Sequence, residues 1–296
     1  MQSRPRRRRA GEPRLTHPRS PPMFQHDAIA RLLRDNDPAT VQLVKSQLLQ
    51  NPVDNAAHIR DLLGRTDDAV VSAHARDILA TIEAAQAGEE FDLLCRFFPE
   101  DGDIESACWL LARCLTPGVD PAPAVRQLDQ WGRDLASRLA RLNGDDERVA
   151  ELGGFLGGHV GLRGNTENYY HPDNSMLPRV IESKLGIPIS LTLLYIIVGR
   201  RAGLRVEGIN LPGHFIARVG EILFDPFHRG RVLSASDCEG ILRKQNLRPH
   251  ASYLTVASSR LILIRTLANL LYIFQETNRD SDRDRVAEWL KALDRE

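Results

Sequence analysis

Cysteine is scarce in this sequence and is not arranged in a redox or zinc motif. The 296 residues contain four cysteines, and no two of them form a CxxC pair. Such pairs carry zinc sites and thiol redox centres, and dense cysteine marks secreted disulfide scaffolds. The cysteines are Cys95, Cys108, Cys114 and Cys238. Because they lie mostly in apolar helical patterns, we predict reduced, buried thiols in a cytoplasmic protein.

Long apolar runs and a surplus of basic charge are also missing. No stretch reaches the ~18 uninterrupted apolar residues of a membrane-spanning helix, so we predict no membrane association. Basic and acidic residues number 39 each, but residues 1–22 hold seven arginines and one glutamate, which leaves 32 basic and 38 acidic residues in 23–296. A body with net negative charge lacks the basic footprint of nucleic-acid binding. We therefore predict that the folded part does not bind nucleic acid.

The opening segment, residues 1–22, is rich in arginine and proline and has no apolar core. It fits neither a signal peptide nor a membrane span, and we predict a disordered arm. Two alternatives remain open for it. Met23 directly precedes the first helical pattern, which favours an upstream extension that is absent from the working protein. The other alternative is a basic arm that binds nucleic acid or anionic lipid.

Helical spacing dominates from Met23 to about Leu142, and we assign residues 23–97 to a helical region. Asp37 before Pro38 predicts an N-cap followed by proline at the first helical position. One stripe of apolar residues spaced three or four apart predicts an amphipathic helix that ends at Gly144. The stripe consists of Val125, Leu128, Trp131, Leu135 and Leu139.

Glycine, asparagine and tyrosine concentrate between residues 150 and 186, which indicates an ordered but irregular segment. Within it, Asn174 is expected to cap a short helix through Leu185, closed by Gly186. A second helix is predicted from Pro188 to Gly203. It is apolar around nearly its whole circumference, so it is expected inside a domain.

Beyond Gly203 the apolar period drops to two, which predicts strands. Gly220 and Glu221 form a two-residue loop of the Gly-X kind, which suits a type II′ hairpin turn. In that register Val219 faces Ile222, and each residue further back in the first strand faces the residue equally further on in the second. The last fifty residues return to helical spacing, with a polar turn between two segments, and predict an antiparallel helical hairpin.

The hairpin register brings two polar residues together. His214 and Asp225 lie diagonally on the same face, close enough for an imidazole to reach a carboxylate. A helix N-terminus aimed at such a pair is the layout of papain-like and transglutaminase-like thiol enzymes. In those enzymes a cysteine in the first turn of the helix is the nucleophile.

The stretch "GLRGNTENYYHPDNSMLPRVIESKLGIPISLTLLYIIVGRRAGLRVEGINLPGHFIARV", followed by "LFDPF", resembles the SirB family of the transglutaminase-like superfamily. The resemblance is specific over residues 160–245, and "IRTLANLLYIF" is similar to the family's tetratricopeptide-like tail. It implies an α+β fold, with a central buried helix packed against a small antiparallel sheet in a core at residues 98–246. A tetratricopeptide-like hairpin is implied at 247–296. His214 matches the catalytic histidine of the superfamily, and Asp225 matches its aspartate.

The nucleophile position departs from that pattern. The helix begins "GIPIS", which offers Ser190, and no cysteine occurs between Cys114 and Cys238. A serine hydroxyl is essentially un-ionised at neutral pH and needs a strong base and an oxyanion hole. We therefore predict a non-catalytic, regulatory module that binds a protein or peptide. The alternative is a hydrolase or acyl transferase that uses Ser190 with His214 and Asp225, and a weaker one is a role in gene regulation.

A binding groove beside the His–Asp pair would be bordered by polar and aromatic side chains. The predicted rim consists of Asn165, Tyr169, Tyr170, Asn174 and Phe227. No cofactor is predicted, and no metal either, because the polar residues that could converge show no paired ligand spacing. Those residues are His171, His214, Asp225 and His228.

Overall fold

The computed structural model describes residues 24–294, so the predicted arm at residues 1–22 lies outside the described residues. The described chain divides into two compact units, with the boundary between Ala75 and Arg76. Both units are mainly helical, and within residues 24–294 the short strands all lie in the second unit, which confirms the predicted α+β class. No helix in this range is both long and apolar enough to cross a membrane.

The first unit consists of short helices joined by tight turns. They are α1 (Phe24–Leu33), α2 (Pro38–Leu49) and α3 (Pro52–Arg65), followed by α4 (Ala69–Phe97), which continues into the second unit. The predicted cap of α2 is confirmed, because the Asp37 carboxylate accepts hydrogen bonds from the backbone N–H groups of Ala39 and Thr40. The buried side chains of α1 to α3 include Leu33, Val41, Leu48, Ile59 and Leu62.

The second unit surrounds one buried helix with further helices and a small sheet. The helices are α5 (Ile104–Leu115), α6 (Ala122–Leu139), α7 (Asp145–Gly153), α8 (Leu177–Ser183), α9 (Pro188–Arg201), α10 (Ala235–Lys244), α11 (Ser259–Glu276) and α12 (Asp280–Leu293). A π-helix at Gly154–His159 continues α7 directly.

Helix α9 is the centre of this unit. Eleven of its 14 residues are buried, as its uniformly apolar sequence predicts. The amphipathic helix α6 packs against it through Leu128, Trp131 and Leu135. At its last turn, Arg201 donates hydrogen bonds of 2.6 and 2.9 Å to the buried carboxylate of Glu105 on α5. Apolar packing and this ion pair together fix α9 between α5 and α6.

The strands form two small sheets. A parallel pair joins β1 (Arg163–Gly164) to β2 (Leu185–Gly186), and an antiparallel sheet has the order β3-β4-β5-β6. The strands of the larger sheet are β3 (Glu207–Ile209), β4 (Ile216–Val219), β5 (Ile222–Asp225) and β6 (Arg231–Val232). Both β3 and β4 pack on α9, which places the sheet against the central helix.

The predicted hairpin register is confirmed between β4 and β5. Val219 faces Ile222, and Ala217 faces Phe224, as the predicted register requires. Gly220 has φ of +55°, whereas Glu221 is not among the residues with positive φ. This pattern of signs matches the type II′ turn that the Gly-X pair predicts.

Two helix boundaries differ from the sequence prediction. Helix α8 begins at Leu177 without a side-chain cap from Asn174, and Lys184, in the left-handed conformation, ends it instead of Gly186. The Asn174 amide is occupied by hydrogen bonds to a neighbouring loop, so it is not free to cap the helix. Gly144 does not end α6 but is the N-cap residue of α7.

The chain ends in the predicted helical hairpin. Helices α11 and α12 pack against each other along their length. Trp289 of α12 inserts beside Phe91 of α4, with ring centroids 4.7 Å apart in an edge-to-face arrangement. Because the hairpin belongs to the same compact unit as α9, its α11 surface lies close enough to contribute side chains to the site described next.

Candidate functional site

The β-hairpin formed by β4 and β5 holds His214 against Asp225. His214 precedes β4, Asp225 is the last residue of β5, and the imidazole Nε2 lies 2.8 Å from the carboxylate Oδ2. The side chains are only 11% and 2% exposed. Burial alone would raise the pKa of Asp225, but hydrogen bonds and charge from His214 and His228 outweigh it and lower that pKa below its usual value. The carboxylate is therefore ionised and oriented.

A second imidazole reaches the same carboxylate oxygen. His228 Nδ1 lies 2.7 Å from Asp225 Oδ2, and the other oxygen, Oδ1, accepts a 2.9 Å hydrogen bond from the Phe227 backbone N–H. Asp225 thereby caps a 3₁₀ turn at Pro226–His228. The spacing of three residues between Asp225 and His228 is the only signal in the sequence for this contact. His228 was among the polar residues considered able to converge with His214 and Asp225, but its direct contact with Asp225 was not predicted.

The turn that presents His228 depends on an unusual backbone. Arg229 adopts a left-handed conformation with φ of 60°, and Gly230 follows with φ of 77°. Gly153 and Gly157, on α7 and the π-helix, admit this backbone at close range. A Cβ atom at Gly157 would lie 2.3 Å from the Arg229 carbonyl oxygen, so only glycine fits there. The glycine-rich segment therefore serves as a seat for the turn.

The Ser190 hydroxyl is hydrogen-bonded to backbone groups. Its Oγ donates a 2.6 Å hydrogen bond to the Asn174 carbonyl oxygen and accepts one of 3.1 Å from the Ile187 N–H. Among the described residues, this hydroxyl makes no hydrogen bond to His214. The serine satisfies backbone groups at the first turn of α9.

The predicted rim residue Asn174 is buried and lies beneath the rim instead of on it. Its Nδ2 donates hydrogen bonds of 2.7 and 3.0 Å to the carbonyl oxygens of Asn168 and Tyr169. Its Oδ1 accepts a 3.0 Å hydrogen bond from the half-buried Asn165. The two asparagine amides thus fix the loop that carries the tyrosines.

Four aromatic side chains, which we call the aromatic row, extend from the His–Asp–His cluster across the surface. They are Phe227, Tyr169, Tyr170 and Tyr272. Successive ring centroids are 6.1, 5.1 and 5.4 Å apart. At the inner end, Phe227 lies 6.0 Å from His214 and 5.2 Å from His228. The three tyrosines are exposed, so the row is open to a partner.

Tyr272 was missed from the sequence. It lies on α11, far from the other members along the chain, and reaches Tyr170 because α11 packs against the 3₁₀ turn at Pro172–Ser175. No local pattern encodes that contact. Tyr169, Tyr170 and Phe227, by contrast, were all predicted as rim residues, and the structure brings them together.

The cysteines lie in apolar surroundings. All four are buried, and burial raises the pKa of the Cys95, Cys108 and Cys114 thiols to about 12. Cys238 packs on the inner face of α10, as predicted, and burial also raises the pKa of its thiol. These thiols are held in their un-ionised, unreactive form.

The cluster offers both proton-binding and ligand atoms. An ionised carboxylate oxygen contacted by two imidazole nitrogens can hold protons between them or orient the rings toward a bound molecule. One ligand atom each from His214, Asp225 and His228 lies within 4.8 Å of the other two. His171, the fourth residue considered from the sequence, is not part of this group and pairs loosely with Asp173 instead.

Comparison with known proteins agrees with this architecture. A family model described as the transglutaminase-like superfamily matches residues 122–268, which contain α6, α9, the hairpin and most of α11. The central helix against a small sheet, with a His–Asp pair at its edge, is thus a transglutaminase-like domain.

Relatives define the family more closely. A UPF0162 protein of Xylella fastidiosa is 32% identical over 203 residues, which cover 64% of this chain and 70% of the relative. The chain belongs to the UPF0162 family. A second member, UPF0162 protein PA3419 of Pseudomonas aeruginosa, is 34% identical over 171 residues, or 56% of this chain and 62% of the relative.

A similarity also extends to a mammalian protein. F-box only protein 21 of Mus musculus is 31% identical over 122 residues, which cover 37% of this chain and 19% of that protein. No solved structure matches this chain.

Proposed function

We propose that this chain is a non-catalytic member of the transglutaminase-like superfamily that binds a peptide segment of a partner protein along the aromatic row. The observation that carries the proposal is the state of Ser190. Acyl transfer needs a nucleophile within hydrogen-bond reach of its base, about 2.6–3.2 Å. The Ser190 hydroxyl donates its hydrogen bond to the Asn174 carbonyl oxygen. His214 therefore has no nucleophile to activate at this position.

The aromatic row supports binding in place of catalysis. Tyrosine combines a large apolar ring with a polar tip and is enriched in protein interfaces at low entropic cost. Tyr169, Tyr170 and Tyr272 present such rings side by side at the surface, and the amides of Asn165 and Asn174 hold the loop beneath them. A rigid row of exposed rings beside a charged cluster suits an extended peptide with both apolar and polar side chains.

The finer assignments are part of the same proposal. We propose that residues 98–246 form the transglutaminase-like core after a helical region at 23–97, and that 247–296 form a tetratricopeptide-like hairpin, as in the SirB family. Paired helices of that kind present concave surfaces to partners. The position of Tyr272 on α11 supports a contribution of this hairpin to the groove. A regulatory role in the cytoplasm completes the proposal.

The first test is chemical. The purified full chain is incubated with a fluorophosphonate, and adducts are sought by intact mass and located by peptide mapping. We expect no adduct on Ser190, because its hydroxyl is buried and hydrogen-bonded to backbone. A stoichiometric adduct on Ser190 would refute the non-catalytic proposal and favour the hydrolase or acyl transferase.

The second test is binding. Peptides selected from a random display library on the wild-type chain are measured against Tyr170→Ala, Tyr272→Ala and the matched control Phe97→Ala. Phe97 is an exposed aromatic residue of α4 outside the row. We expect each tyrosine variant to weaken Kd about tenfold or more, since buried tyrosines dominate interface energies, and the control to leave Kd unchanged. Selected peptides that bind all three variants as tightly as the wild type contradict the proposal.

A further inference from the structure

The His–Asp–His cluster contains more than a hairpin needs for its stability. One histidine is enough to hydrogen-bond and orient a buried carboxylate, and His214 already does so at 2.8 Å. His228 adds a second nitrogen at 2.7 Å to the same oxygen, although its side chain is 58% exposed and contributes little burial. An exposed imidazole brought to an already satisfied carboxylate calls for another explanation.

The backbone around His228 is specialised for this placement. The turn is followed by the left-handed Arg229, a conformation that is sterically unfavourable for a residue with a Cβ. It also requires Gly157, whose missing side chain gives room to the Arg229 carbonyl. Strain and close approach of this kind cluster at ligand sites.

We propose that His214, Asp225 and His228 bind a divalent transition-metal ion, with Zn²⁺ as the first candidate. Two imidazole nitrogens and one carboxylate oxygen form a donor set that suits zinc and its neighbours, whereas Ca²⁺ and Mg²⁺ prefer oxygen alone. Three protein ligands leave at least one position for water or for a bound molecule, as in zinc sites that are not purely structural.

The geometry needs only a small adjustment. Tetrahedral zinc with bonds of ~2.0–2.1 Å places its ligand atoms about 3.3 Å apart. In the structure the two nitrogens lie 2.8 and 2.7 Å from the shared oxygen, and all three atoms lie within 4.8 Å of one another. Entry of the ion would move the nitrogens slightly away from the oxygen and toward each other. His228, which is mostly exposed, is free to make that movement.

The surroundings already orient the ligands as outer-shell groups do in metal sites. The Phe227 N–H holds Asp225 Oδ1, which directs Oδ2 toward the two imidazoles. The Phe227 ring lies edge-on to both imidazoles and covers one side of the cluster. The remaining opening is on the side of the exposed His228. This inference is independent of peptide binding by the aromatic row, because neither its ligands nor its test requires a peptide.

The test uses the full chain after treatment with a chelator and its removal. Zn²⁺ alone is titrated by calorimetry, and thermal unfolding is followed with and without one equivalent of Zn²⁺. We expect one ion per chain with Kd of about 1 μM or tighter, and a rise in Tm that follows from binding to the folded state alone. His228→Ala is expected to weaken Kd about tenfold or more and to abolish the rise in Tm.

Further variants and a second metal ion test whether the binding is specific to the cluster. His171→Ala removes an exposed histidine outside the cluster and is expected to leave Kd unchanged. Asp225→Asn tests the carboxylate, and His228→Ala is the variant least able to disturb folding because that side chain is mostly exposed. Co²⁺ in place of Zn²⁺ is expected to give ligand-field bands without a thiolate charge-transfer band, which excludes Cys238 as a ligand.

Three outcomes would overturn the proposal. The first is wild-type binding weaker than about 100 μM. The second is a Kd for His228→Ala equal to that of the wild type. The third is a thiolate charge-transfer band with Co²⁺. Each can occur with the peptide-binding result intact, so failure of the metal site and failure of the proposed function are distinguishable.

Discussion

Replacement of Gly157 by alanine tests whether this glycine is needed to admit the backbone of the turn that carries His228. The new Cβ would lie 2.3 Å from the Arg229 carbonyl oxygen, 2.6 Å from its carbonyl carbon and 2.7 Å from its Cα. All three are backbone atoms, so no side-chain rotation can relieve the clash. Since such contacts are optimal near ~3.5–4.0 Å, the turn must move by about 1 Å.

The matched control is one residue away. Gly158→Ala adds the same methyl group in the same π-helix, but apart from the adjoining residues and the helix's own backbone no atom lies within 4 Å of it. Overpacking at Gly157 is expected to cost about 1–3 kcal/mol. Alanine at Gly158 is expected to gain about 0.4–1 kcal/mol through the lower entropy of the unfolded chain. The two variants should therefore differ by about 1.4–4 kcal/mol in free energy of unfolding.

Two measurements read the effect. Thermal unfolding should separate the variants by about 3–16 °C, because 1 kcal/mol corresponds to roughly 2–4 °C in a domain of this size. In ¹⁵N-histidine spectra the ring signals of His228 should change in Gly157→Ala and stay as in the wild type in Gly158→Ala. Equal stability of the two variants, with unchanged ring signals, would refute the claim that Gly157 makes room for the turn that carries His228.

Three further predictions concern buried groups. Tyr195→Phe should unfold at the same or a higher denaturant concentration, with a gain of up to about 1 kcal/mol, because the buried hydroxyl has no hydrogen-bond partner among the described residues; a clear loss would contradict this. Glu105→Ala should lower the free energy of unfolding by about 3 kcal/mol, because it leaves Arg201 without its buried partner. The control Glu90→Ala, at an exposed ion pair, should lower it by less than about 1 kcal/mol. Equal losses in chemical unfolding would oppose that account. At about pH 8 an aromatic disulfide reagent should label almost no thiol in the native chain and all four after denaturation, since burial raises the pKa of Cys108 to about 12; rapid native labelling would disagree.

The β4–β5 hairpin was predictable because the residues that set its register lie within the hairpin itself. Alternating apolar residues and the Gly220 turn set the register, and the register sets the proximity of His214 and Asp225. The buried course of α9 follows equally from its composition, since a helix without a polar face must be covered. Each of these features depends on residues that lie within a single helix or a single β-hairpin.

The missed features depend on contacts between distant segments. Asn174 has the side chain of a helix cap, but its amide bonds to the loop at Asn168 and Tyr169, a choice that no local rule decides. Tyr272 joins the aromatic row only because α11 docks there. His228 reaches Asp225 in a 3₁₀ turn, and the left-handed Arg229 that follows packs its backbone against Gly157 of a distant segment.

The glycines at residues 153–158 were read as a sign of irregular structure, yet they continue a helix. The segment folds as the end of α7 and a π-helix, and Gly153 and Gly157 lie against the backbone of Arg229 and Gly230. Glycine permits close approach as well as unusual dihedral angles. The sequence alone does not say which of the two uses applies, because the partner backbone is some seventy residues away.

The near-complete enclosure of α9 has a consequence for how the second unit opens. Its covering comes from α6 on one side and from β3 and β4 on another, segments that are contributed from before and after it in the chain. No single one of them can detach without exposing apolar side chains of α9 to water, so partial opening is costly there. The amide protons of α9 should therefore exchange with solvent deuterium only when the whole unit unfolds, and α9 should report the unit's global stability.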